Sequence, residues 1–363
     1  MTDRRARIAV DCRYLRTDGQ HDGISRYSAG VVAALARRTD LTMLVSDTRQ
    51  LELLPRAPWR LVRSPTSPLE PLVALQVNRL RPDVVFSPMQ TMGSFGRRYR
   101  LVLTIHDLIY YRHRTPPAQF AWWLRALWRL YHLSWWPQRF LLARADAVVT
   151  VSETTRDLLA EHRLTTRPVT VVPNAAELPG PPADARTAPE RKSLVYMGAF
   201  IGYKNVDALV RAVGLLPDYE LHLMSRVEPA ERERLATLAP SARLVFHDGA
   251  SDEEYRSALL EATAAVSASR DEGFGIPVVE AMSVGTPVVL SDIPIFREVG
   301  GQTALFADPD DSAAFAAAVR RLEEPGEWAT RSAAARDEAA RYSWDTSAVV
   351  LLDLLDSLAG RAS

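Results

Sequence analysis

Two glutamates, Glu272 and Glu280, flank a pair of glycines and a proline in the stretch Ser269-Arg270-Asp271-Glu272-Gly273-Phe274-Gly275-Ile276-Pro277-Val278-Val279-Glu280-Ala281-Met282. A carboxylate accepts hydrogen bonds from two neighbouring hydroxyls at once, so such a pair suits a ligand rich in diols. Gly273 and Gly275 permit a tight turn or a close backbone approach, and Pro277 suits the first turn of a helix. Before the stretch, Ala264–Ala268 reads as a buried strand. After it, Gly285 reads as a helix stop. Strand, glycine loop and helix in that order leave backbone N–H groups at a helix start, which is an anion site. One loop can therefore hold a sugar at one end, a diphosphate in the middle and a ribose at the other. The plainer reading is a surface loop with two solvated glutamates.

A lysine is the next group of interest, because the chain has only two, Lys192 and Lys204, against 42 arginines. Lys204 follows the expected strand Ser193–Met197, then Gly198 and Ala199-Phe200-Ile201-Gly202-Tyr203, and precedes Asn205. An ammonium point charge just before a helix start suits a phosphate, although alone it also reads as an ordinary surface residue. His106-Asp107 closes the expected strand Leu101–Ile105. Read alone, such a pair is more often structural than catalytic.

The elements that must position these groups are legible as apolar runs. In the first half they are Arg7–Asp11, Leu41–Val45, Arg60–Val62, Val84–Ser87, Leu101–Ile105, Ala147–Val151 and Val169–Val172. In the second they include Glu220–Met224, Arg243–Phe246 and Pro287–Leu290. Helical stretches between them predict an α/β chain of doubly wound parallel sheets, whose ligands bind at the carboxyl ends of the strands. The first strand runs into a glycine loop ending at Gly23, and Ser25 is the expected cap of the helix that follows. Ser152 is the expected cap of another. Glu177–Pro189 is rich in proline and small residues and reads as a linker. A last helix is expected over Ser347–Leu358.

The string Glu-Gly-Phe-Gly-Ile-Pro-x-x-Glu-Ala-Met resembles the retaining glycosyltransferases of family 4, which have the GT-B fold: two Rossmann-like domains facing across a cleft. Gly23-Ile24-Ser25-Arg26-Tyr27 is similar to the Gly-Ile-Gly-Arg-Tyr of mannosyltransferase-like members. His106-Asp107, Lys204-Asn205 and Ala304–Pro309 also match the family's pattern. The resemblance implies that Glu272 faces the donor sugar, that Glu280 holds the ribose and that His106 meets the transferred sugar. It gives the diphosphate to Lys204 with Asn205, and places Gly23, Gly198, Gly273, Phe274, Gly275, Ile276 and Pro277 around the donor. Arg26, Tyr27 and Asp107 fall on the acceptor side, and the loop His247–Ser251 frames the base. Residues 1–180 would bind the acceptor and 191–343 the nucleotide sugar, with 344–363 packing back on the first domain. Three positions depart from the pattern. Ser25 replaces a glycine, and Ala199 and Tyr203 stand where many relatives carry an arginine, so the phosphates have one cation fewer or borrow Arg226 or Arg26.

The implied activity is retaining transfer of a hexose, mannose favoured, from a donor such as GDP-mannose to an acceptor hydroxyl. No cofactor is implied, and no metal, since no Asp-x-Asp motif is read at a suitable strand end. The alternatives on this fold are phosphorolysis, epimerisation of a nucleotide sugar, and a non-catalytic sugar-nucleotide-binding partner. Intact Glu272, Glu280, Lys204 and His106 weigh against the last.

Bulk properties bound where this chemistry occurs. A chain of 363 residues with 47% hydrophobic content suits two globular domains. Its one cysteine, Cys12, allows no intrachain disulfide and is expected to be a buried apolar residue. No signal peptide is read, and no apolar run approaches the ~20 residues that span a bilayer. A cytoplasmic protein is expected. The zero net charge hides an asymmetry: residues 1–180 carry 26 arginines against 15 acidic residues, a formal +11, and the remainder carries −11. The first half is thus expected to meet something anionic. No recognised nucleic-acid motif accompanies the charge, which leaves an anionic membrane or a phosphate-bearing acceptor. Residues 120–140 hold five of the eight tryptophans, interleaved with Arg125, Arg129 and Arg139. Two readings stand: a long helix whose aromatic stripe is core, broken by Pro137, or an interfacial helix at the inner face of the cytoplasmic membrane. The first goes with a soluble small-molecule or natural-product acceptor, the second with a lipid-linked glycan.

Overall fold

The structure, a computed structural model, describes residues 6–17, 23–116, 121–176, 178–181 and 184–360. It has two compact units, Met1–Ala175 with Ser343–Ser363, and Ala176–Tyr342. In the first unit β1 (Ile8–Asp11), β2 (Leu41–Val45), β3 (Trp59–Leu61), β4 (Val84–Ser87), β5 (Arg100–Ile105), β6 (Ala147–Thr150) and β7 (Val169–Val171) form one sheet in the order β3-β2-β1-β4-β5-β6-β7. In the second, β8 (Ser193–Tyr196), β9 (Glu220–Leu223), β10 (Arg243–Phe246), β11 (Ala264–Ser267), β12 (Val288–Ser291) and β13 (Leu305–Ala307) follow the order β10-β9-β8-β11-β12-β13. Every pair is parallel, with Ile8 opposite both Leu41 and Val84, and Leu194 opposite Ala264.

This topology follows from composition. β1, β4, β6, β8 and β12 are buried at every residue, as near-continuous apolar strands must be when helices cover both faces. The edge strand β3 is exposed throughout. A covering helix, Val206–Gly214, buries Val206, Leu209, Val210 and Val213, the spacing of one helical face. In each sheet the strand order reverses once, between β1 and β4 and between β8 and β11. Those two reversals are the crevices where such sheets bind ligands.

The last helix, Trp344–Leu358, belongs to the first unit. It starts three residues before the expected Ser347, because Ser343 Oγ accepts from the Thr346 N–H at 3.1 Å and caps it. Trp344, Ala348, Leu351 and Leu355 are its buried stripe. It packs on the helix Gly23–Ala36, and Ser347 Oγ donates to Pro173 O at 2.7 Å. Gly30 makes that approach: a Cβ there would stand 2.3 Å from Trp344 Cε2.

Several expectations are corrected. Ser25 is not a cap. The helix already begins at Gly23, and Ser25 is buried inside it with its Oγ accepting from the Arg16 N–H at 3.3 Å; residues 18–22 of that loop lie outside the described residues. The 116–143 stretch is two helices, Trp122–Tyr131 and Trp136–Leu142, and Pro137 opens the second rather than interrupting the first; residues 117–120 are not described. The linker is fastened to the second unit, with Arg186 Nη2 donating to Val284 O at 2.9 Å and Thr286 Oγ1 at 3.2 Å while its guanidinium lies over Trp328. Composition reads local stiffness and not a distant partner; Glu177, Pro182 and Ala183 in that stretch are not described. Ser152 does cap its helix, accepting from the Thr155 N–H at 3.1 Å. Cys12 is buried, and burial pushes its thiol well above the usual range.

Gly30→Val is expected to destabilise the protein by about 1–3 kcal/mol through overpacking against Trp344, read as a lower midpoint in denaturant. An unchanged midpoint would mean that the last helix does not rest on Gly30.

Candidate functional site

The central motif folds largely as its residue types require. β11 ends at Ser267, a loop runs over 268–275, and the helix Ile276–Ser283 starts after Gly275. Gly275 has φ of 94°, a left-handed conformation that glycine adopts without a Cβ penalty. Pro277 lies in the first helical turn, where its missing N–H costs nothing.

The lysine loop comes from β8, the neighbour of β11. A single turn, Gly202–Lys204, ends at Asn205 with φ of 52°, a conformation that asparagine tolerates better than most side chains. Asn205 Nδ2 donates to Pro309 O at 2.6 Å, so this side chain fixes the loop that presents Lys204. The Arg270 N–H donates to Tyr203 O at 2.7 Å, and the Arg270 guanidinium pairs with Asp310. These contacts bring Lys204 Nζ to 2.5 Å from Glu272 Oε1, and Ser269 Oγ donates to the same oxygen at 2.8 Å. The two charged side chains are only 19% and 12% exposed, so salt screens them little. The cavity at this pair is also lined by Tyr196, Met197, Gly275 and Pro277, which puts the helix start on the same space as the ammonium.

The surroundings keep that space shaped. Tyr196 donates to Ala199 O at 2.9 Å; burial, reinforced by the Glu272 charge, pushes its ionisation far up, so it stays a neutral phenol. A Cβ on Gly198 would meet the Tyr196 hydroxyl at 2.7 Å, and the Gly198 N–H donates to Ser225 Oγ at 3.1 Å. Gly273 lies in the loop between Glu272 and Phe274. Phe274 is buried edge-on against Tyr342, a packing role. Glu280 is 1% exposed on the Ile276–Ser283 helix, which excludes the solvated-glutamate reading. Of the two arginines offered as substitute cations, Arg226 borders the 247–251 loop, 3.7 Å from where a Gly249 side chain would begin. His247 Nε2 in that loop lies 3.0 Å from His222 Nδ1.

The other expected residues belong to the first unit. His106 follows β5, and its Nε2 lies 2.8 Å from Pro88 O, beyond the end of β4. A carbonyl only accepts, so Nε2 carries the hydrogen and the lone pair of the neutral ring is on Nδ1. Tyr27 meets the imidazole edge-on at 5.0 Å and is backed by Trp344 at 6.0 Å. Asp107 Oδ1 accepts from the Ile109 N–H at 2.9 Å and so caps the next turn. Arg26 is half-buried, and Gly23 is exposed at its helix start.

Sequence reasoning missed three features. Ser269 is one; its signal was a hydroxyl three residues before Glu272. The second is a buried ion pair at the end of β1, Arg13 Nε to Asp11 Oδ1 at 2.7 Å, with Glu70, Arg63 O and Ser87 completing its partners. Its signal was a pair of opposite charges two residues apart at a strand end. The third is an Asp-x-Asp string, Asp308-Pro309-Asp310, directly after β13. It is already engaged: Asp308 accepts from the Asp310 N–H at 2.8 Å, Asp310 pairs with Arg270, and Asp311 caps the next helix. Among the described residues no group of three or more His, Cys, Asp and Glu is placed to hold a metal.

Residues 21–178 match the family model described as Glycosyltransferase Family 4, and residues 182–341 the model described as Glycosyl transferases group 1. The chain is similar to the O-antigen chain mannosyltransferase RfbU of Salmonella typhimurium, 26% identical over 342 residues, covering 89% of this chain and 92% of that one. It is also similar to the GDP-mannose:cellobiosyl-diphosphopolyprenol alpha-mannosyltransferase of Xanthomonas oryzae, 29% identical over 212 residues, 54% of each chain. Among solved structures, the sucrose-phosphate synthase of Thermosynechococcus elongatus matches with a TM-score of 0.75 at 19% identity, over 98% of this chain and 99% of that one, a likeness of fold.

Glu280→Ala is expected to weaken binding of a nucleoside diphosphate by about 1.5–3 kcal/mol, the worth of a charged hydrogen-bond acceptor. Calorimetric titration reads this, and an unchanged affinity would remove Glu280 from the ribose.

Proposed function

Because the chain belongs to the GT-B glycosyltransferases of group 1 and family 4, we propose that it transfers a mannose-type hexose from a nucleotide-diphospho-sugar to an acceptor hydroxyl, with retention and without a metal. The observation that carries this reading is the Lys204–Glu272 pair beside a helix start, at the point where the second sheet reverses its strand order. Mannose is supported by the Salmonella and Xanthomonas relatives, both mannosyltransferases by name. GDP-mannose as donor and a polyprenyl-diphosphate-linked glycan as acceptor are carried over from the Xanthomonas relative. The reaction then takes place at the inner face of the cytoplasmic membrane.

The pair explains how the donor is received. Lys204 and Ser269 hold the Glu272 carboxylate. A diphosphate offers the ammonium a stronger anion, and the exchange releases Glu272 to accept hydrogen bonds from sugar hydroxyls. In the transfer, the bond between the anomeric carbon and the phosphate oxygen breaks and the bond to the acceptor oxygen forms on the same face. The acceptor proton passes to the departing phosphate. Negative charge grows on that phosphate, and Lys204 with the helix dipole of Ile276–Ser283 stabilises it. His106, with its hydrogen on Nε2 committed to Pro88, meets the transferred sugar.

The test is a transfer assay across nucleotide sugars, with polyprenyl-diphosphate glycans and water-soluble sugars as acceptors and proton NMR of the product. An α-linked product from GDP-mannose is expected, and it should form unchanged in excess EDTA. Loss of activity with EDTA that Mg2+ or Mn2+ restores would overturn the metal-free part. A β-linked product would overturn retention. His106→Ala is expected to lower turnover by about tenfold or more with nucleotide affinity unaltered, since the nucleotide residues lie in the other unit. A parallel fall in both would make His106 a structural residue.

A further inference from the structure

An ordinary surface helix turns its apolar stripe inward and its charges outward. The Trp122–Tyr131 helix turns an apolar face outward instead. None of its residues is buried. Trp123, Leu127 and Leu130, spaced to share one face, are 57%, 55% and 63% exposed, and Trp122 beside them is 82% exposed. The helix is held on the domain by a different set of rings. Trp128 packs on His132 at 3.9 Å and meets Tyr110 edge-on, and Trp135 stacks on Tyr111 and His162 at 4.3 Å each. The five tryptophans are therefore divided. Trp128 and Trp135 pack inward, while Trp122, Trp123 and Trp136 face outward. On the following helix Trp136 stacks on Phe140, both exposed, with the Arg144 guanidinium over the Phe140 ring.

The charge of this segment identifies what covers it. Acidic residues make up 44 of the 363, yet between Asp107 and Asp146 there is none, against six arginines. Arg129 is exposed at the margin of the apolar face, with Arg125 one turn before it. A second copy of the chain would set these arginines against themselves, a like-charge juxtaposition that disfavours pairing. Exposed tryptophans interleaved with arginines, in a stretch of sequence that carries no acid, match the headgroup level of an anionic bilayer. Among the described residues no helix is long and apolar enough to cross a membrane, so the geometry is that of helices lying on the surface.

We propose that the outward face of the Trp122–Tyr131 and Trp136–Leu142 helices docks the first unit on an anionic lipid surface, with the three exposed tryptophans at headgroup level and the arginines on lipid phosphates. The docking stands on these helices alone. That it brings the enzyme to a lipid-linked acceptor rests on the function proposed above.

The experiment is co-sedimentation of the full chain with vesicles of phosphatidylcholine alone or mixed with phosphatidylglycerol. The chain should pellet with the anionic vesicles, stay in solution with the neutral ones, and be released by salt. Two variants, Trp122→Gln with Trp123→Gln and Trp136→Gln, and separately Arg125→Gln with Arg129→Gln, should each lose about tenfold or more in vesicle affinity with an unchanged melting temperature. Should a variant unfold, quenching of the wild-type tryptophan fluorescence by brominated phosphatidylglycerol reads the same contact. A chain that stays in the supernatant at low salt, or pelleting that both folded variants retain, overturns the proposal. So does a dimer in vesicle-free sedimentation that the tryptophan variant dissolves, which would give the face to a second copy. Vesicle binding without sugar transfer would sink the proposed function alone, and transfer to soluble acceptors without vesicle binding would sink the docking alone.

Discussion

An ammonium and a carboxylate 2.5 Å apart, Lys204 and Glu272, set the constraint on which the rest of the second unit depends. The two residues are far apart in sequence and meet because β8 and β11 are neighbours, with Leu194 opposite Ala264. That adjacency exists only where the sheet reverses its strand order. The loops on either side are shaped to serve the contact. Asn205 and Gly275 take left-handed backbone conformations, and Arg270 ties one loop to the other. Bringing two charges so far out of water is costly unless their remaining lone pairs and protons find partners. Ser269 supplies one of them. What remains is an ammonium that an incoming dianion can claim.

The first unit is organised by packing. Its last helix is laid down after the whole second unit has been made, yet Trp344 closes on Gly30 and backs Tyr27, which in turn walls His106. The orientation of an imidazole near the carboxyl ends of β4 and β5 thus depends on the far end of the chain. The buried Arg13–Asp11 pair at the end of β1 fixes the neighbouring strand end with Ser87. A fixed strand end of this kind suits the acceptor-binding role proposed for this unit, which asks for a hydroxyl held in one orientation. The same unit carries its apolar surface on separate helices, away from that strand end in sequence.

Much of the frame was legible in the residues, for a physical reason. Parallel strands covered on both faces leave runs of Val, Ile, Leu and Ala, so β2, β4 and β10 fall where their runs do and most others within a residue. The glycine and proline positions of the central motif were equally readable, because few residues tolerate that backbone. Ser25 was misread because a hydroxyl near a helix start is a cap only if the helix begins after it, and here it begins at Gly23. The tryptophan segment resisted for another reason. Periodicity puts rings around a helix without saying which side carries the domain, and the rings turned out to serve both sides. Arg186 on Trp328 and Arg13 on Asp11 and Glu70 depend on tertiary neighbours. Lys204 was paired with a diphosphate through resemblance; its contact with Glu272 needed the fold.

The scarcity of lysine gives the account its most direct measurement. Reductive methylation with 13C-formaldehyde labels Lys192, Lys204 and the chain's amino terminus, and Lys192 is itself paired with Glu323, outside the proposed site. Addition of GDP, followed by GDP-mannose, should shift the dimethylammonium signal that a Lys204→Arg variant lacks and leave the Lys192 signal in place. A Lys204 signal that stays still while the nucleotide binds, or a shift at Lys192 instead, would contradict the claim that the diphosphate displaces Glu272 from Lys204.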